Sequence, residues 1–166
     1  MAILKLPTPV GDLTLVASDT ALLAVHFPSR RMMPQDDPPL GKVEITEAAG
    51  TILARARHQL EEYFARTRTT FDLPLAPVGS AFQQRVWDAL RAIPYGSTVS
   101  YSEIARRLGD LRATRAVGAA NGQNPIPIIV PCHRVVGAHG ELTGFGGGID
   151  RKRWLLEHEG VLLALG

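Results

Sequence analysis

The sequence has a single cysteine, Cys132, among its 166 residues. One thiol excludes an internal disulfide bond, and it excludes a zinc site built from several thiolates. Any chemistry at Cys132 therefore takes place without a second thiol. A lone cysteine is more often a small buried apolar residue than a reactive one, so its surroundings decide between the two interpretations.

Long apolar runs are also missing. No run reaches the roughly 18 residues of a membrane-spanning helix, and residues 1–19 have neither the basic segment nor the long apolar segment of a signal peptide. We expect a cytoplasmic protein, in the cytosol or at the nucleoid, with no membrane partner. Apolar residues still make up 45% of the chain, enough for the core of one ordinary domain or of two small ones.

Neither sign of charge dominates, since the formal net charge is only +2. The distribution is uneven: residues 1–79 carry eight Lys and Arg against nine Asp and Glu, and residues 80–166 carry ten against seven. The basic C-terminal half favours contact with nucleic acid, although most charge of this size only solvates a surface.

The N-terminal half alternates short apolar stretches with turn residues, the pattern of a small antiparallel sheet. The predicted strands are residues 3–6, 12–17, 21–27 and 71–75. Pro28–Leu40, with four prolines, predicts a loop, and apolar residues four apart predict a helix over Glu47–Ala65. Pro74–Gly79 has the composition of a linker, which predicts an α/β domain over residues 1–78 and a second domain over residues 79–166.

The C-terminal half contains short helices with explicit start signals. Ser80–Gln83 and Ser100–Glu103 both fit the capping box, in which an N-cap hydroxyl and a Glu or Gln three residues later satisfy unpaired backbone donors. The predicted helices are residues 81–92, 101–108 (ended by Gly109), 111–121 and 149–159 (ended by Gly160). Two short helices joined by a tight turn form a helix-turn-helix pattern, although an ordinary helical hairpin has the same spacing.

The prolines at positions 125, 127 and 131 predict that the chain enters Cys132 in extended conformation. His133 and Arg134 follow it, and a neighbouring base and cation lower the pKa of a thiol. Adjacent side chains on an extended segment point in opposite directions, so a bridging water would join Cys132 to His133. A histidine in that role needs an acceptor on its other nitrogen, and Glu159 is a candidate that sequence spacing cannot place. His133 alone is more often a structural histidine.

Two further segments suit a nucleobase in DNA. Gly144–Gly148 lacks the preceding strand and the Lys-Ser/Thr of a phosphate-binding loop, but its glycines and Phe145 suit a pocket for a flat base as well as a mobile loop. The third predicted helix of this half offers small residues and one long cation, Arg115, instead of the several Arg, Asn and Gln that read base edges. A helix of this kind would read the shape of DNA.

An ordered series of motifs runs through nearly all of residues 80–160. These are Phe82–Trp87, Ile93–Gly96, Tyr101, Ala113–Gly118, Asn124–Pro125, Pro131–Val136 and Trp154–Gly160. The series resembles the O6-alkylguanine-DNA alkyltransferase family, and its many ordered motifs make the resemblance highly specific. The N-terminal 75 residues resemble the family only in layout.

The resemblance implies an α+β fold, with a ribonuclease-H-like N-terminal sheet and helix and a winged-helix-like helix-turn-helix in the C-terminal domain. It implies direct DNA repair, in which the alkyl group on O6 of guanine moves irreversibly to Cys132 without a cofactor; O4-alkylthymine is left open as a second substrate. His133 would be the water-linked base, and Glu159 the carboxylate that orients it. Tyr101 would donate a hydrogen bond to the base, and Asn124 would tie the active-site turn to the recognition helix.

The same resemblance implies how the damaged base is reached. The recognition helix would lie in the minor groove of double-stranded DNA, and the alkylated guanine would be flipped out of the stack. Arg115 would fill the gap. The other implied DNA-binding residues are Thr114, Ala116, Gly118 and Ala119, and the implied substrate-binding residues are Pro127, Val135, Phe145 and Gly146. We expect a monomer in solution and leave cooperative assembly on DNA open.

Two departures from the family and two alternatives accompany the resemblance. The chain lacks the N-terminal cysteines with which some relatives bind zinc, so no metal is expected. Phe145 stands where relatives often carry Tyr, so only apolar contact remains there. A protein that binds the lesion without reacting would form no adduct at Cys132, whereas a cysteine hydrolase using Cys132, His133 and Glu159 would turn over.

Overall fold

The computed structural model describes residues 1–28 and 46–161, which form an α+β fold, as predicted. The chain divides into two compact units, Met1–Val78 and Gly79–Gly166, and each is described by itself. The predicted loop Pro28–Leu40 lies almost entirely outside the described residues. Among the helices of the described residues, none is both long enough and apolar enough to cross a membrane.

The N-terminal unit contains a three-stranded antiparallel sheet in the order β1 (Ala2–Leu6), β2 (Leu13–Ala17) and β3 (Leu22–His26). Alternate residues of the central strand β2 are buried, which gives the strand one face toward the core. A single buried face fixes the register, because a slip of one residue would turn the apolar side chains to solvent. The predicted antiparallel sheet is confirmed.

Helix α1 (Glu47–Phe64) follows, and it confirms the predicted helix. Thr46 caps it by accepting a hydrogen bond from the Ala49 amide at 3.1 Å. The apolar side chains recur every three or four residues and are buried as α1 packs on β1 and β2. Removing this stripe from water, at roughly 25 cal/mol per Å² of apolar area, stabilises the helix on the sheet.

The strand predicted over residues 71–75 is wrong. Only Leu75 pairs with a strand, in a single parallel bridge to Leu22. The Gln59 side chain donates to the Asp72 carbonyl and accepts from the Asp72 amide, each at 2.9 Å. The Asp72 carbonyl also accepts from Arg55 at 2.8 Å. Its two lone pairs and the Asp72 amide are therefore already used, so this residue cannot take part in a strand ladder.

The C-terminal unit is helical, with one short pair of parallel strands. Its elements are α2 (Ala81–Arg91), β4 (Val99–Ser100), α3 (Tyr101–Arg107), α4 (Thr114–Gly122), β5 (Val135–Val136) and α5 (Ile149–His158). β4 pairs with β5, which brings the start of α3 beside the segment that follows Cys132. Trp87 of α2 donates its indole N–H to the Ala120 carbonyl of α4 at 2.9 Å, so a buried hydrogen bond joins these two helices.

Helix α4 begins later than predicted. Residues Leu111–Ala113 form a single 3-10 turn, and the α-helix starts only at Thr114. The Asp110 carboxylate accounts for the difference, because it accepts a hydrogen bond from the Arg112 amide at 3.0 Å and so caps the 3-10 turn. Gly109, with a φ of +89°, ends α3, and α3 and α4 pack on each other in the arrangement of a helix-turn-helix.

Two of the predicted helix starts carry their N-cap. The Ser80 hydroxyl accepts from the Gln83 amide at 3.1 Å, and the Gln83 side chain accepts from the Ser80 amide at 2.8 Å, which completes the capping box. The Ser100 hydroxyl accepts from the Glu103 amide at 3.1 Å. The Glu103 carboxylate, however, pairs with two arginines of its own helix, so this cap lacks the reciprocal bond.

Replacing Ser80 with alanine should lower the free energy of unfolding by about 1 kcal/mol, because the Gln83 amide loses its acceptor. Chemical denaturation measures the difference. Ser97→Ala removes an exposed serine that does not begin a helix and serves as the control. Equal losses in the two variants would contradict the capping role of Ser80.

Candidate active site

Cys132 lies in a buried turn. The extended approach predicted from the prolines is wrong, because Ile128 has a φ of +73° and Cys132–Arg134 form one turn of 3-10 helix. Proline fixes φ but leaves ψ open to turn conformations, and Pro131 has a ψ of 64°. All residues from 126 to 136 are buried, so the cysteine turn belongs to the core of the C-terminal unit.

The side chain of Asn124 holds this turn in place. Its Nδ2 donates to the Val130 carbonyl at 2.8 Å, and its Oδ1 accepts from the Ile126 amide at 3.0 Å. The same side chain hydrogen-bonds the thiol of Cys132. Because Asn124 follows α4 almost directly, one amide connects the end of that helix with the cysteine and the turn before it.

The thiol is protonated at neutral pH. Cys132 is only 4% exposed, and burial raises the pKa of its thiol to about 11, although the Asn124 hydrogen bond and the positive charge of Lys152 act in the opposite direction. The His133 backbone lowers this pKa slightly, but the expectation that the side chains of His133 and Arg134 lower it is wrong, because both are bound to Glu159 instead. Reaction at the sulfur therefore requires a base.

Glu159 is the centre of a buried ionic cluster. Its carboxylate lies 2.7 Å from His133 Nε2 and accepts hydrogen bonds of 2.8 and 3.1 Å from Arg134. A further N–H of the guanidinium donates to the Ile93 carbonyl at 2.7 Å. The side chains of His133 and Glu159 are fully buried. The structure thus brings together the histidine and the carboxylate that sequence spacing could not place.

The charge of Glu159 fixes the tautomer of His133. Burial alone would raise the pKa of Glu159, but the hydrogen bonds from His133 and Arg134 and the charge of Arg134 outweigh it and lower that pKa to about 2. Burial lowers the pKa of His133, with Glu159 opposing, so the imidazole is neutral at neutral pH. A neutral imidazole donates its Nε2 hydrogen to the carboxylate. Its Nδ1, which has no hydrogen-bond partner within residues 1–28 and 46–161, is then the proton acceptor.

A buried lysine adjoins Tyr101. Lys152 is 0% exposed, and its ammonium donates to the Thr143 carbonyl at 2.7 Å and to the Tyr101 hydroxyl at 3.4 Å. Tyr101 donates to the same carbonyl at 2.8 Å. Burial lowers the pKa of Lys152 to about 8, against the attraction of the Cys132 thiolate, and burial raises the pKa of Tyr101. Lys152 therefore brings a titratable positive charge close to the sulfur, and the phenol keeps its proton.

The predicted substrate-binding residues lie on the cysteine turn and on the glycine-rich turn. They are Pro127 and Val135, which are buried, Phe145, which is half-buried, and Gly146, which is exposed. A Cβ on Gly144 would lie 3.2 Å from the Tyr101 hydroxyl, and one on Gly146 would lie 3.4 Å from the Gly122 carbonyl. Glycine permits these approaches, so the glycine-rich turn packs against both α3 and α4.

The predicted DNA-binding residues lie on α4. Arg115, Ala116 and Ala119 are exposed, and Thr114 and Gly118 are half-buried. The opposite face of the helix, with Val117, Ala120 and Asn121, is buried. The outer face therefore presents small side chains around one arginine, which allows another surface to approach the helix backbone closely.

Two buried residues of the site belong to no motif of the sequence, and Arg134 binds Glu159 instead of acting on the thiol. Lys152 stands between two arginines and resembles surface charge, but it lies three and four residues before the buried Leu155 and Leu156, which places it on the inner face of α5. Asn121 lies four residues after the buried Val117 on α4. Helical periodicity is the signal that could have identified both residues.

Two family models match the chain. One is described as 6-O-methylguanine DNA methyltransferase, ribonuclease-like domain, and matches residues 4–77; the other, described as the DNA binding domain of the same family, matches residues 81–161. The methylated-DNA–protein-cysteine methyltransferase of Methanosarcina acetivorans is 46% identical over 156 residues, which cover 92% of this chain and 94% of the relative. The protein of the same name from Mycobacterium tuberculosis is 51% identical over 152 residues, which cover 92% and 88%.

Solved structures give the same result. The crystal structure of M. tuberculosis O6-methylguanine methyltransferase matches with a TM-score of 0.79 at 46% identity, covering 95% of this chain and 91% of that one. M. tuberculosis OGT in complex with DNA matches with a TM-score of 0.77 at 47% identity, covering 93% and 90%. Fold and site define a class of proteins in which a helix-turn-helix accompanies a buried cysteine beside a His-Glu pair. The chain belongs to the 6-O-methylguanine DNA methyltransferase family.

Lys152→Met should slow the modification of the Cys132 thiol by iodoacetamide at pH 7, by about tenfold for each unit that the thiol pKa rises. Lys152 is protonated below its pKa of about 8 and stabilises the thiolate there. Above that pH the lysine loses its charge, so the difference between wild type and variant should shrink toward pH 9.5.

The measurement follows the single thiol by mass spectrometry across the pH range. Arg153→Met, which removes an exposed cation from the same helix, should leave the profile unchanged. A Lys152→Met variant that melts like the wild type and keeps the wild-type profile would show that the lysine does not act on the thiol.

Proposed function

We propose that this protein repairs alkylated DNA by transferring the alkyl group from O6 of guanine to Sγ of Cys132, once per molecule. The observation that carries the proposal is a buried thiol beside a neutral His133 whose Nε2 is bound to Glu159. Relatives that align with most of the chain are named methylated-DNA–protein-cysteine methyltransferase, which supports the same reaction.

The first step is removal of the thiol proton, because a thiol with a pKa of about 11 is protonated at neutral pH. Nδ1 of His133 accepts the proton. No direct hydrogen bond joins this nitrogen to the sulfur within the described residues, so we infer that a water molecule relays the proton between them. The ionised Glu159 stabilises the imidazolium that forms, and the charge of Lys152 stabilises the thiolate.

The thiolate then attacks the alkyl carbon in line with its bond to O6. The new S–C bond forms as the C–O6 bond breaks, and the electron pair of that bond stays on guanine, which takes up a proton and leaves as the normal base. Tyr101 keeps its proton and can donate a hydrogen bond to the departing base, while Lys152 lies against its hydroxyl. Overall one proton moves from sulfur to the base, and no cofactor is consumed.

The product explains why each molecule acts once. A thioether carbon has no good leaving group, so water does not release the alkyl group, and the only thiol of the chain is lost. O4-alkylthymine carries the same kind of alkyl–oxygen bond, and we include it as a second substrate to be tested.

A thiol as deeply buried as Cys132 cannot reach a base that is stacked in a duplex, so the alkylated guanine must leave the stack. The small side chains on the outer face of α4 suit a minor groove, and the planar guanidinium of Arg115 suits the vacated space. Backbone groups of Val135 and Gly146 are then available to read the base. All these residues belong to one chain, so we expect a monomer to act on the lesion. Sedimentation with DNA distinguishes a monomer from cooperative assembly. We expect the protein to act in the cytoplasm.

Cys132→Ser should abolish alkyl transfer from O6-methylguanine DNA, because no second thiol is present. Mass spectrometry of the wild-type protein should show a gain of one methylene mass per molecule, and the variant should show none while still binding DNA. A wild-type protein that binds the lesion without gaining mass would instead be a lesion-recognition protein, and continued turnover would indicate a hydrolase.

Arg115→Ala should strongly slow repair of duplex DNA, affect a weakly paired site less, and leave the reaction with free O6-benzylguanine unchanged, because extrusion from a duplex costs a few kcal/mol. Single-turnover rates at saturating duplex provide the measurement. Arg91→Ala removes another exposed arginine of the same unit and should leave these rates at the wild-type level.

Two results would count against Arg115 as the residue that fills the gap. Arg115 would instead contact a phosphate if the variant kept the wild-type rate at saturating duplex and only bound DNA more weakly. In that case the slope of log binding constant against log salt concentration should also fall by about one unit. An equal loss with the free base would show that Arg115 supports the active site itself.

A further inference from the structure

The glycine-rich turn, residues 144–148, has little of its own to hold it in one conformation. Four of its five residues are glycines, and glycine loses more chain entropy on ordering than any other residue. Gly144 and Gly148 have φ values of +63° and +94°, and the Gly148 amide donates to the Phe145 carbonyl at 3.0 Å. Side chains outside the turn therefore matter for its position.

Helix α5 supplies such side chains at both ends of the turn. Lys152 donates to the Thr143 carbonyl, just before the turn, at 2.7 Å, and Nη1 of Arg151 donates to the Gly147 carbonyl at 2.9 Å. Side chains on a helix lean toward its N-terminus, which carries both cations back over the segment that leads into α5. Gly148 begins this helix without a side-chain cap, so Arg151 also ties the helix start to the turn.

The position of Arg151 is unfavourable for the helix itself. The first turn of a helix favours acidic side chains, because the N-terminal end of the helix dipole is positive. Arg151 lies in this first turn, directly after Asp150. Its hydrogen bond to the Gly147 carbonyl is therefore better explained by a role in the glycine-rich turn than by a contribution to α5.

The glycine-rich turn lies beside the reacting sulfur. The Tyr101 hydroxyl is 3.2 Å from the position of a Cβ on Gly144, and both Tyr101 and Lys152 interact electrostatically with Cys132. Under the proposed function, a base whose alkyl group meets this sulfur lies against the turn and against the ring of Phe145. The position of the turn then decides how well the base is held.

The two ends of the turn differ in what the reaction does to their contacts. The Tyr101 hydroxyl has one hydrogen, which it donates to the Thr143 carbonyl at 2.8 Å, so it must leave that carbonyl before it can donate to the base. Lys152 adjoins the same hydroxyl and stabilises the thiolate in the proposed reaction. The Thr143 contacts are thus made by groups that the reaction uses, whereas Arg151 donates to Gly147 at the other end.

Resting on the proposed function, we propose that Arg151 is a positioning residue, whose contact with the Gly147 carbonyl keeps the glycine-rich turn in its base-binding conformation while Tyr101 exchanges Thr143 for the base. Without this contact the turn of the free protein samples other conformations, and only a fraction of the molecules can bind the base. The apparent affinity falls by that fraction. Once bound, the base itself holds the turn, so the rate at saturation stays nearly the same.

Arg151→Met tests the proposal because it keeps the aliphatic length of the side chain and removes the donor. The concentration of free O6-benzylguanine that gives half of the maximal rate of Cys132 benzylation should rise about 5- to 30-fold, the range for one hydrogen bond from a charged donor, while the maximal rate changes less than about twofold. Mass spectrometry of the single thiol over time, at increasing concentrations of the base, measures both quantities. Arg153→Met removes an exposed cation from the same helix and should change neither.

A second variant and a second substrate make the test independent of one side chain and of one ligand. Arg151→Ala replaces Arg151→Met if methionine disturbs the packing, and melting temperatures check the fold of both. O6-methylguanine in a short single strand needs no extrusion from a duplex and should show the same rise in half-saturating concentration. Binding of the unmodified strand should stay at the wild-type level.

Three results would overturn the role of Arg151. The first is a folded variant with the half-saturating concentration of the wild type. The second is a lower maximal rate at an unchanged half-saturating concentration, which indicates a general disturbance of the site. The third is weaker binding of the unmodified strand by the same factor, which indicates a contact with DNA.

Failure of the proposed function has a different signature. A wild-type protein that alkylates Cys132, together with any of these three results, would refute only the role of Arg151. A wild-type protein that takes no alkyl group from O6-benzylguanine or from O6-methylguanine DNA would refute alkyl transfer, and the inference would fall with it.

Discussion

The carboxylate of Glu159 is the group on which the geometry of the site depends. It is shared by His133 and Arg134, and the guanidinium continues to the Ile93 carbonyl. Buried charges are favourable only when each one has its partners, and removing one partner typically destabilises a protein by about 3–5 kcal/mol. The carboxylate of Glu159 and the guanidinium of Arg134 together therefore fix the end of α5, the turn at Cys132 and the segment after α2 relative to one another.

Arg134 also decides what His133 can do. The guanidinium helps to keep Glu159 ionised, and its positive charge lowers the pKa of the imidazole, in the same direction as burial. The result is a neutral histidine with one nitrogen held and one nitrogen available, while the thiol beside it stays protonated. In the proposed reaction each molecule can use its one cysteine only once. A thiol that becomes nucleophilic only through a local base is protected from reaction with unrelated electrophiles.

Local signals in the sequence predict elements whose causes are local. The predicted start of α1 at Glu47 agrees with the structure because a cap and a periodic stripe lie within a few residues. The failed strand near Asp72 depends on Gln59, thirteen residues away, which no local pattern reveals. The residues of the site likewise separate into those that local sequence signals predict and those that depend on distant contacts. The motif around the cysteine is visible, but the contact between Glu159 and its histidine spans 26 residues, and the burial of Lys152 depends on where α5 packs.

Helix α4 links the proposed DNA contact to the sulfur. Its outer face carries Arg115, and its inner face carries Asn121, which donates to the Cys132 carbonyl. Asn124, just beyond the helix, holds the turn, and the indole of Trp87 holds the helix to α2. A hydrogen-bonded helix moves as a stiff unit, so a displacement of its outer face by DNA reaches the cysteine turn without an intervening flexible segment. The proposed function therefore implies that α4 couples lesion binding to the chemistry, and only substrates that bypass DNA can separate the effects of a substitution in α4 on each.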